Sequence, residues 1–123
     1  MSALLTPRRM SLLQGVYYTI TGLWPLLSMD TFLAVTGPKT DLWLVRTVAL
    51  LITAIGIALL IAAKRNEANF SITILAVASA ASLAWVDAYY ALTGVIWPVY
   101  LLDTFPEVAL IIGWLLAHWF ERR

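Results

Sequence analysis

Four long apolar blocks constrain the fold of this chain more than any other feature of its sequence. The blocks lie at about Met10–Leu27, Leu42–Ala63, Phe70–Leu92 and Phe105–Phe120. The chain is 62% hydrophobic and 12% charged, whereas soluble domains are roughly half apolar and about a quarter charged. A helix rises about 1.5 Å per residue, so the second and third blocks can cross a hydrocarbon layer of about 30 Å, and the first and fourth need flanking residues. The sequence therefore predicts one all-α membrane domain over residues 1–123, a four-transmembrane-helix bundle.

The distribution of basic residues predicts how the bundle is oriented. Six of the eight Lys and Arg residues flank the blocks on one side: Arg8, Arg9, Lys64, Arg65, Arg122 and Arg123. The loops on the other side contain only Lys39, together with Asp30, Asp41 and Asp103. Because Lys and Arg concentrate in cytoplasmic loops, both termini and the middle loop are predicted to be cytoplasmic. We expect this N-in/C-in chain in a bacterial inner (plasma) membrane.

A repeated segment divides the chain into two halves. Residues 17–25 read YYTITGLWP and are followed by Asp30-Thr31-Phe32; residues 89–98 read YYALTGVIWP and are followed by Asp103-Thr104-Phe105. Two blocks lie between the copies, so both copies run in the same direction across the membrane, and the halves form two parallel helical-hairpin repeats. The repeats cover about residues 10–64 and 70–120. The repetition fits either preserved packing and interface anchors or a site assembled where the copies meet.

Charged residues inside the blocks are the first candidates for a functional site, because charge in a membrane interior needs a partner or a purpose. Arg46, Asp87 and Glu107 lie at similar predicted depth near the same end of the bundle. One interpretation is a salt bridge between Arg46 and Asp87 that fixes helix packing. The other is a polar cavity in which these residues bind a ligand. The further candidates for its wall and rim are Tyr17, Tyr18, Tyr89, Tyr90, Trp24, Trp97, Asp30 and Asp103.

Three other patterns concern helix contacts. Gln14 and Tyr17 share a helix face, so Gln14 either extends the cavity or only bonds across a helix pair. Small residues allow helices to approach closely in lipid, and two such rows are Ala54, Ala58, Ala62 and Ala76, Ala80, Ala84. Thr104 and Glu107 have capping-box spacing, which predicts the start of the fourth helix. His118, one turn from the predicted cytoplasmic end, is interpreted as an interfacial residue.

Several functions have no support in the sequence. The chain has no cysteine and one histidine, so neither metal-ligand spacing nor thiol chemistry is present, and no metal site or cofactor is predicted. No phosphate-binding glycine loop or nucleophile-elbow serine occurs, so no catalytic residue is assigned. A formal net charge of +1 gives no electrostatic footprint for nucleic acid.

Two resemblances to known families follow from these residues. The chain resembles small four-span bacterial membrane proteins of the DoxX-like kind in Gly22–Pro25, in Arg46 early in the second block, in Gly56–Leu60 and in Lys64-Arg65. This resemblance implies a four-helix membrane bundle over most of the chain. More locally, Leu12–Tyr18 with Pro25, Met29-Asp30 and Ala34-Val35 is similar to the first span of the sterol-isomerase-like EXPERA family. That second resemblance implies that Asp30 helps to line a ligand cavity.

These features together favour a non-enzymatic membrane module. We expect it to bind a small amphiphile or a partner helix at the polar and aromatic cluster in the outer leaflet. The expected partners are the lipid bilayer, a small amphiphilic ligand, and a second copy or another membrane protein. The alternatives are a transporter subunit that oligomerises to complete a path and a sterol-isomerase-like enzyme.

Overall fold

The computed structural model describes residues 5–121, and within that range all regular structure is helical. The five helices are α1 (Pro7–Leu27), α2 (Met29–Thr36), α3 (Leu42–Lys64), α4 (Phe70–Leu92) and α5 (Tyr100–Glu121). Three of them, α3, α4 and α5, are long and apolar enough to cross a membrane. The prediction of an all-helical chain with membrane-spanning helices is therefore confirmed, with three such helices among the described residues where four were expected.

Helix α1 has 21 residues, so its length suits a span, but its composition is more polar than that of the other three long helices. It begins with Thr6, whose side chain accepts a hydrogen bond from the Arg9 amide, and with Pro7 at the first helical position. Its buried residues include Ser11, Gln14, Gly15 and Gly22. The reason for this polarity is its position, since α1 contacts α3, α4 and α5. These helices cover much of the surface of α1.

The contact between α1 and α3 is the most extensive in the bundle, and glycines bring the two backbones together. A Cβ on Gly22 would lie 2.3 Å from Thr53 Oγ1 and 2.8 Å from the Thr53 amide nitrogen. On the opposite helix, a Cβ on Gly56 would lie 2.7 Å from the Thr19 amide nitrogen. The buried face of α3 therefore runs through Ala49, Thr53 and Gly56.

The predicted small-residue rows have different outcomes. On α3 the row is wrong, because Ala54 is exposed and Ala58 half-buried, while only Ala62 is buried. On α4 the row is confirmed, since Ala76, Ala80 and Ala84 are all buried. Instead, Thr53 and Gly56 form the α3 side of the contact, where they face Gly22 and Gly15 of α1.

The long helices alternate in direction, which gives the bundle two ends. We call the end where α1 and α4 finish the upper end, and the end where they begin the lower end. Near the lower end, Ser11 donates a 2.6 Å hydrogen bond to the Leu59 carbonyl, and Arg8 donates from Nε to the Ala63 carbonyl at 2.7 Å. The apolar core also lies there and contains Met10, Leu59, Ala76, Trp114 and Ala117.

The start of α5 corrects the predicted boundary. The helix begins at Tyr100, so Thr104 lies inside it and its hydroxyl donates to the Tyr100 carbonyl at 3.4 Å. The capping box predicted from Thr104 and Glu107 therefore does not start this helix. Pro106 is also inside α5. Proline has no amide hydrogen to donate, so it interrupts the hydrogen-bond ladder one residue before Glu107.

Candidate functional site

Two tyrosines of α1 donate hydrogen bonds to two carboxylates of α5 in the upper half of the bundle. The Tyr18 hydroxyl donates to Glu107 Oε1 at 2.8 Å, and both side chains are fully buried, at 0% and 1% exposure. The Tyr17 hydroxyl donates to Asp103 Oδ1. Asp103 and Glu107 are four residues apart on one helix, so they lie on the same face. Neighbouring tyrosines on α1 can therefore reach neighbouring acids on α5.

A third acid joins them from α4. Asp87 is 6% exposed, and its carboxyl group lies within hydrogen-bonding reach of Asp103. Its Oδ2 atom is buried and receives no hydrogen bond from any of residues 5–121. We refer to Asp87, Asp103 and Glu107 as the carboxyl cluster. Its members come from two helices, and its hydroxyl donors come from a third.

Below the carboxyl cluster, the buried side chains of Gln14 and Trp114 form a hydrogen bond. Trp114 is fully buried and donates from Nε1 to Gln14 Oε1 at 2.8 Å. Gln14 in turn donates from Nε2 to the Ala76 carbonyl at 2.9 Å. An indole N–H can only donate, so this pair fixes which way the amide faces. Gln14 thus bonds across α1, α4 and α5 and also lies beside Tyr18.

The polar side chains of α5 continue to its lower end. Thr73 Oγ1 and His118 Nε2 are 2.7 Å apart, and the His118 ring stacks on Trp114 with ring centroids 6.3 Å apart. His118 Nδ1 also lies 3.9 Å from Glu121. His118 is half-buried against α4, so it has partners inside the bundle besides its predicted interfacial position.

The predicted salt bridge between Arg46 and Asp87 does not form. Within residues 5–121 the one ion pair formed by a Lys or Arg is Arg65–Glu67, and Arg46 is exposed. The physical reason is the position of α1, which packs tightly on α3 and leaves only a slight contact between α3 and α4. Asp87 therefore faces α5 instead of α3.

Two of the predicted tyrosines lie apart from the carboxyl cluster. Tyr89 and Tyr90 are 46% and 40% exposed, and their rings pack edge to face 5.1 Å apart. Tyr89 also stacks on exposed Trp85 with a centroid distance of 5.4 Å. These rings form an aromatic patch on the outside of α4, separate from the paired hydroxyls of α1.

The remaining predicted residues lie at the upper end of the bundle, in or next to α2 and the loops that flank it, a region that we call the cap. Trp24 donates from Nε1 to Thr31 Oγ1 at 3.0 Å, so it contacts α2. Trp97 packs against Gly37, where a Cβ would lie 2.7 Å from the indole ring and where φ is +101°. Asp30 is exposed in the first turn of α2. The cap holds these three residues at the surface.

Sequence reasoning missed Trp114 as the partner of Gln14. A signal for it exists on α5, where Asp103, Glu107, Trp114 and His118 recur at spacings of four, seven and four residues. Such spacings keep side chains on one face of a helix. Reading that face as a whole would have grouped Trp114 with the acids.

Comparison of the chain with protein-family models, with curated proteins and with solved structures gives no significant match. The DoxX-like and EXPERA resemblances therefore stay predictions.

Proposed function

We propose that this chain is a four-span, N-in/C-in membrane protein whose carboxyl cluster binds the cationic head of a small amphiphile. Three acids converge at Asp87, Asp103 and Glu107, and no base among residues 5–121 pairs with them. The observation that carries the proposal is the buried Asp87 Oδ2, which receives no hydrogen bond in that range. A cationic head group gives this oxygen a charge partner in place of a hydrogen bond, since buried polar groups are normally partnered.

The fourth span is α1, and its covering by the other helices supports this assignment. A helix of 21 residues extends about 31 Å. Its polar side chains at Gln14 and Tyr18 are bonded to other helices inside the bundle. Polar groups in transmembrane helices face the protein interior in this way.

The proposed orientation is tested by labelling single cysteines in intact cells. Cysteine at Lys39 is expected to react with a membrane-impermeant thiol reagent added outside, and cysteine at Asn66 is expected to react only after lysis. The chain has no native cysteine, so each variant reports one position. The reverse pattern would reject the N-in/C-in orientation.

The ligand class follows from the charge and the surroundings of the carboxyl cluster. The buried acidic side chains attract a cation, and the apolar helices around them attract a hydrocarbon tail. Dodecyltrimethylammonium is therefore a suitable probe, with dodecyldimethylamine oxide as the matched probe that carries no net charge. Both are added below the concentration at which they form micelles.

The binding experiment uses the full chain in lipid nanodiscs, with empty nanodiscs to subtract partitioning into lipid. Wild type is expected to bind the ammonium probe more tightly than the amine oxide. Asp87→Asn is expected to lower the ammonium affinity about tenfold or more, because it removes a buried charge partner of the cation, and a loss of only about 1.4 kcal/mol of ion-pair attraction is a factor of ten. Asp30→Asn is the matched control, since Asp30 is exposed. Equal affinity for both probes would contradict a cation site.

A transporter subunit is the second candidate, and the polar face of α5 favours it. Asp103, Glu107, Trp114 and His118 extend from the upper to the lower part of that helix. If the chain transports the ammonium probe, proteoliposomes will accumulate it, and cross-linking will detect the oligomer that completes the path. Binding without accumulation would favour the module over the transporter.

A further inference from the structure

We propose that the carboxyl cluster holds a proton between Asp87 and Asp103 and releases it when the cation binds. This inference rests on the proposed function and deepens it, because it makes the site an exchanger of one proton for one cation. The steps below come from hydrogen-bond donors and acceptors around the two aspartates.

The adjacency of the two carboxyl groups is the first step. Asp87 and Asp103 lie within hydrogen-bonding reach of each other, yet an ionised carboxylate can only accept. A hydrogen bond between two carboxyl groups therefore requires a proton on one of them. Asp87 is also buried with its Oδ2 atom receiving no hydrogen bond from residues 5–121, a setting that disfavours the ionised carboxylate.

The second step is that the neighbouring hydroxyl donors are already used. From α1, Tyr17 donates to Asp103 and Tyr18 donates to Glu107. Asp87 is thus the one member of the carboxyl cluster without a hydroxyl donor among the described residues. A proton shared with Asp103 satisfies it without rearranging either tyrosine.

The third step concerns the bases on the surrounding elements. On α3, Arg46 is exposed and forms no ion pair within residues 5–121. After α2, the Lys39 ammonium donates to the Thr36 carbonyl at 3.3 Å and to the Gly37 carbonyl at 3.1 Å, and it lies 5.2 Å from the Tyr100 ring centroid. Neither base neutralises the acids. Two ionised aspartates in contact repel each other strongly in a medium of low dielectric constant.

The exchange itself is a simple proton transfer. When the ammonium group binds, the O–H bond of the shared carboxylic acid breaks and the proton passes to water. The carboxylate that forms then pairs with the ammonium group. One positive charge enters and one leaves, and nothing is oxidised or reduced.

A quaternary ammonium probe makes the proton count unambiguous, because dodecyltrimethylammonium has no proton of its own to lose. The full chain in nanodiscs is titrated with it by calorimetry in two buffers of different ionisation enthalpy at the same pH. The difference in observed heat gives the protons released, which we expect to be about one per bound cation. Binding without proton release would overturn the exchange and leave the proposed function intact. Absence of binding in the wild type would overturn the proposed function and the exchange with it.

Infrared spectroscopy tests the shared proton without any ligand. Wild type in nanodiscs is expected to show the C=O stretch of a protonated carboxylic acid, which shifts in D2O and disappears on addition of the ammonium probe. Asp87→Asn is expected to lack this band, because its amide N–H can donate to Asp103 in place of the acid. Asp30→Asn is expected to keep it. A ligand-free wild type without the band would overturn the shared proton even if the probe binds.

Discussion

The two copies of the repeated segment have nearly the same letters and different structures. In the first copy the helix continues past Gly22 to Leu27, whereas in the second α4 ends at Leu92 and Gly94 follows with a φ of +81°. The buried Tyr18 corresponds to Tyr90, which is 40% exposed. Position in the bundle decides the difference, because α1 contacts three long helices and α4 is exposed along one side.

The comparison also shows how the carboxyl cluster is assembled. Tyr17 of the first copy bonds Asp103 of the second, while Asp30, which corresponds to Asp103, stays exposed. Before the glycines the offset between copies is 72 residues, so Gly15 corresponds to Asp87. A Cβ on Gly15 would lie 2.9 Å from the Leu60 amide nitrogen. Close packing on α3 thus excludes an aspartate from the position that α4 uses for one.

The largest expected effect comes from the two corresponding glycines. In Gly22→Ala the new Cβ meets backbone atoms of α3 that cannot move aside, so we expect a loss of about 3 kcal/mol, at the upper end for overpacking. In Gly94→Ala nothing lies within 4 Å, and only the left-handed backbone costs about 1–2 kcal/mol. Reversible unfolding in detergent measures both. Equal losses of stability in the two variants would contradict the structural difference between the copies.

Replacing the tyrosines gives the next effect. Tyr18→Phe leaves Glu107 Oε1 buried without its 2.8 Å donor, which should cost about 1–3 kcal/mol. Tyr90→Phe changes an exposed position and is expected to stay within about 0.5 kcal/mol of wild type. The two melting temperatures in the same detergent provide the measurement. A larger loss for Tyr90→Phe than for Tyr18→Phe would contradict the burial of Tyr18 and the exposure of Tyr90.

The hydrogen bond between Trp114 and Gln14, below the carboxyl cluster, allows a similar test outside the repeat. Trp114→Phe keeps an aromatic ring but removes the N–H that Gln14 Oε1 accepts. Hydrogen bonds between transmembrane helices are worth about 0.6–2 kcal/mol, and we expect a loss in that range. In the double variant Trp114→Phe with Gln14→Leu, part of the loss should return, because no amide oxygen is left unpaired. A further additive loss would mean that the two side chains act independently.

Much of the fold was predictable because it depends on local sequence. The apolar blocks gave the positions of α3 and α4 within a residue or two, and the alanine row of α4 gave its buried face. The acids Asp87 and Glu107 were found because charge is costly in an apolar block. These inferences needed only composition and helical period.

The partners of the acids were not predictable, because they depend on which helices touch. The sequence predicted similar depth for Arg46 and Asp87, but depth alone does not say whether α3 faces α4. Glycine contacts at Gly22 and Gly56 pull α1 onto α3 and decide the arrangement. The start of α5 was also hidden, since Pro106 inside a helix resembles a helix start in sequence.

The smallest expected effect concerns Arg46, and it tests this helix arrangement directly. Arg46 is exposed and forms no ion pair within residues 5–121, so Arg46→Met should change stability by about 0.5 kcal/mol or less. Asp87→Leu removes a buried acid and its contact with Asp103, so its effect on stability is expected to be larger than about 0.5 kcal/mol. The test is whether the two effects add. Residues without shared partners give effects that add within about 0.3–0.5 kcal/mol. The double variant Arg46→Met with Asp87→Leu should therefore equal the sum of the two single variants. An ion pair between them would instead make the double variant more stable than that sum, and α3 would then have to pack against α4 beside the carboxyl cluster.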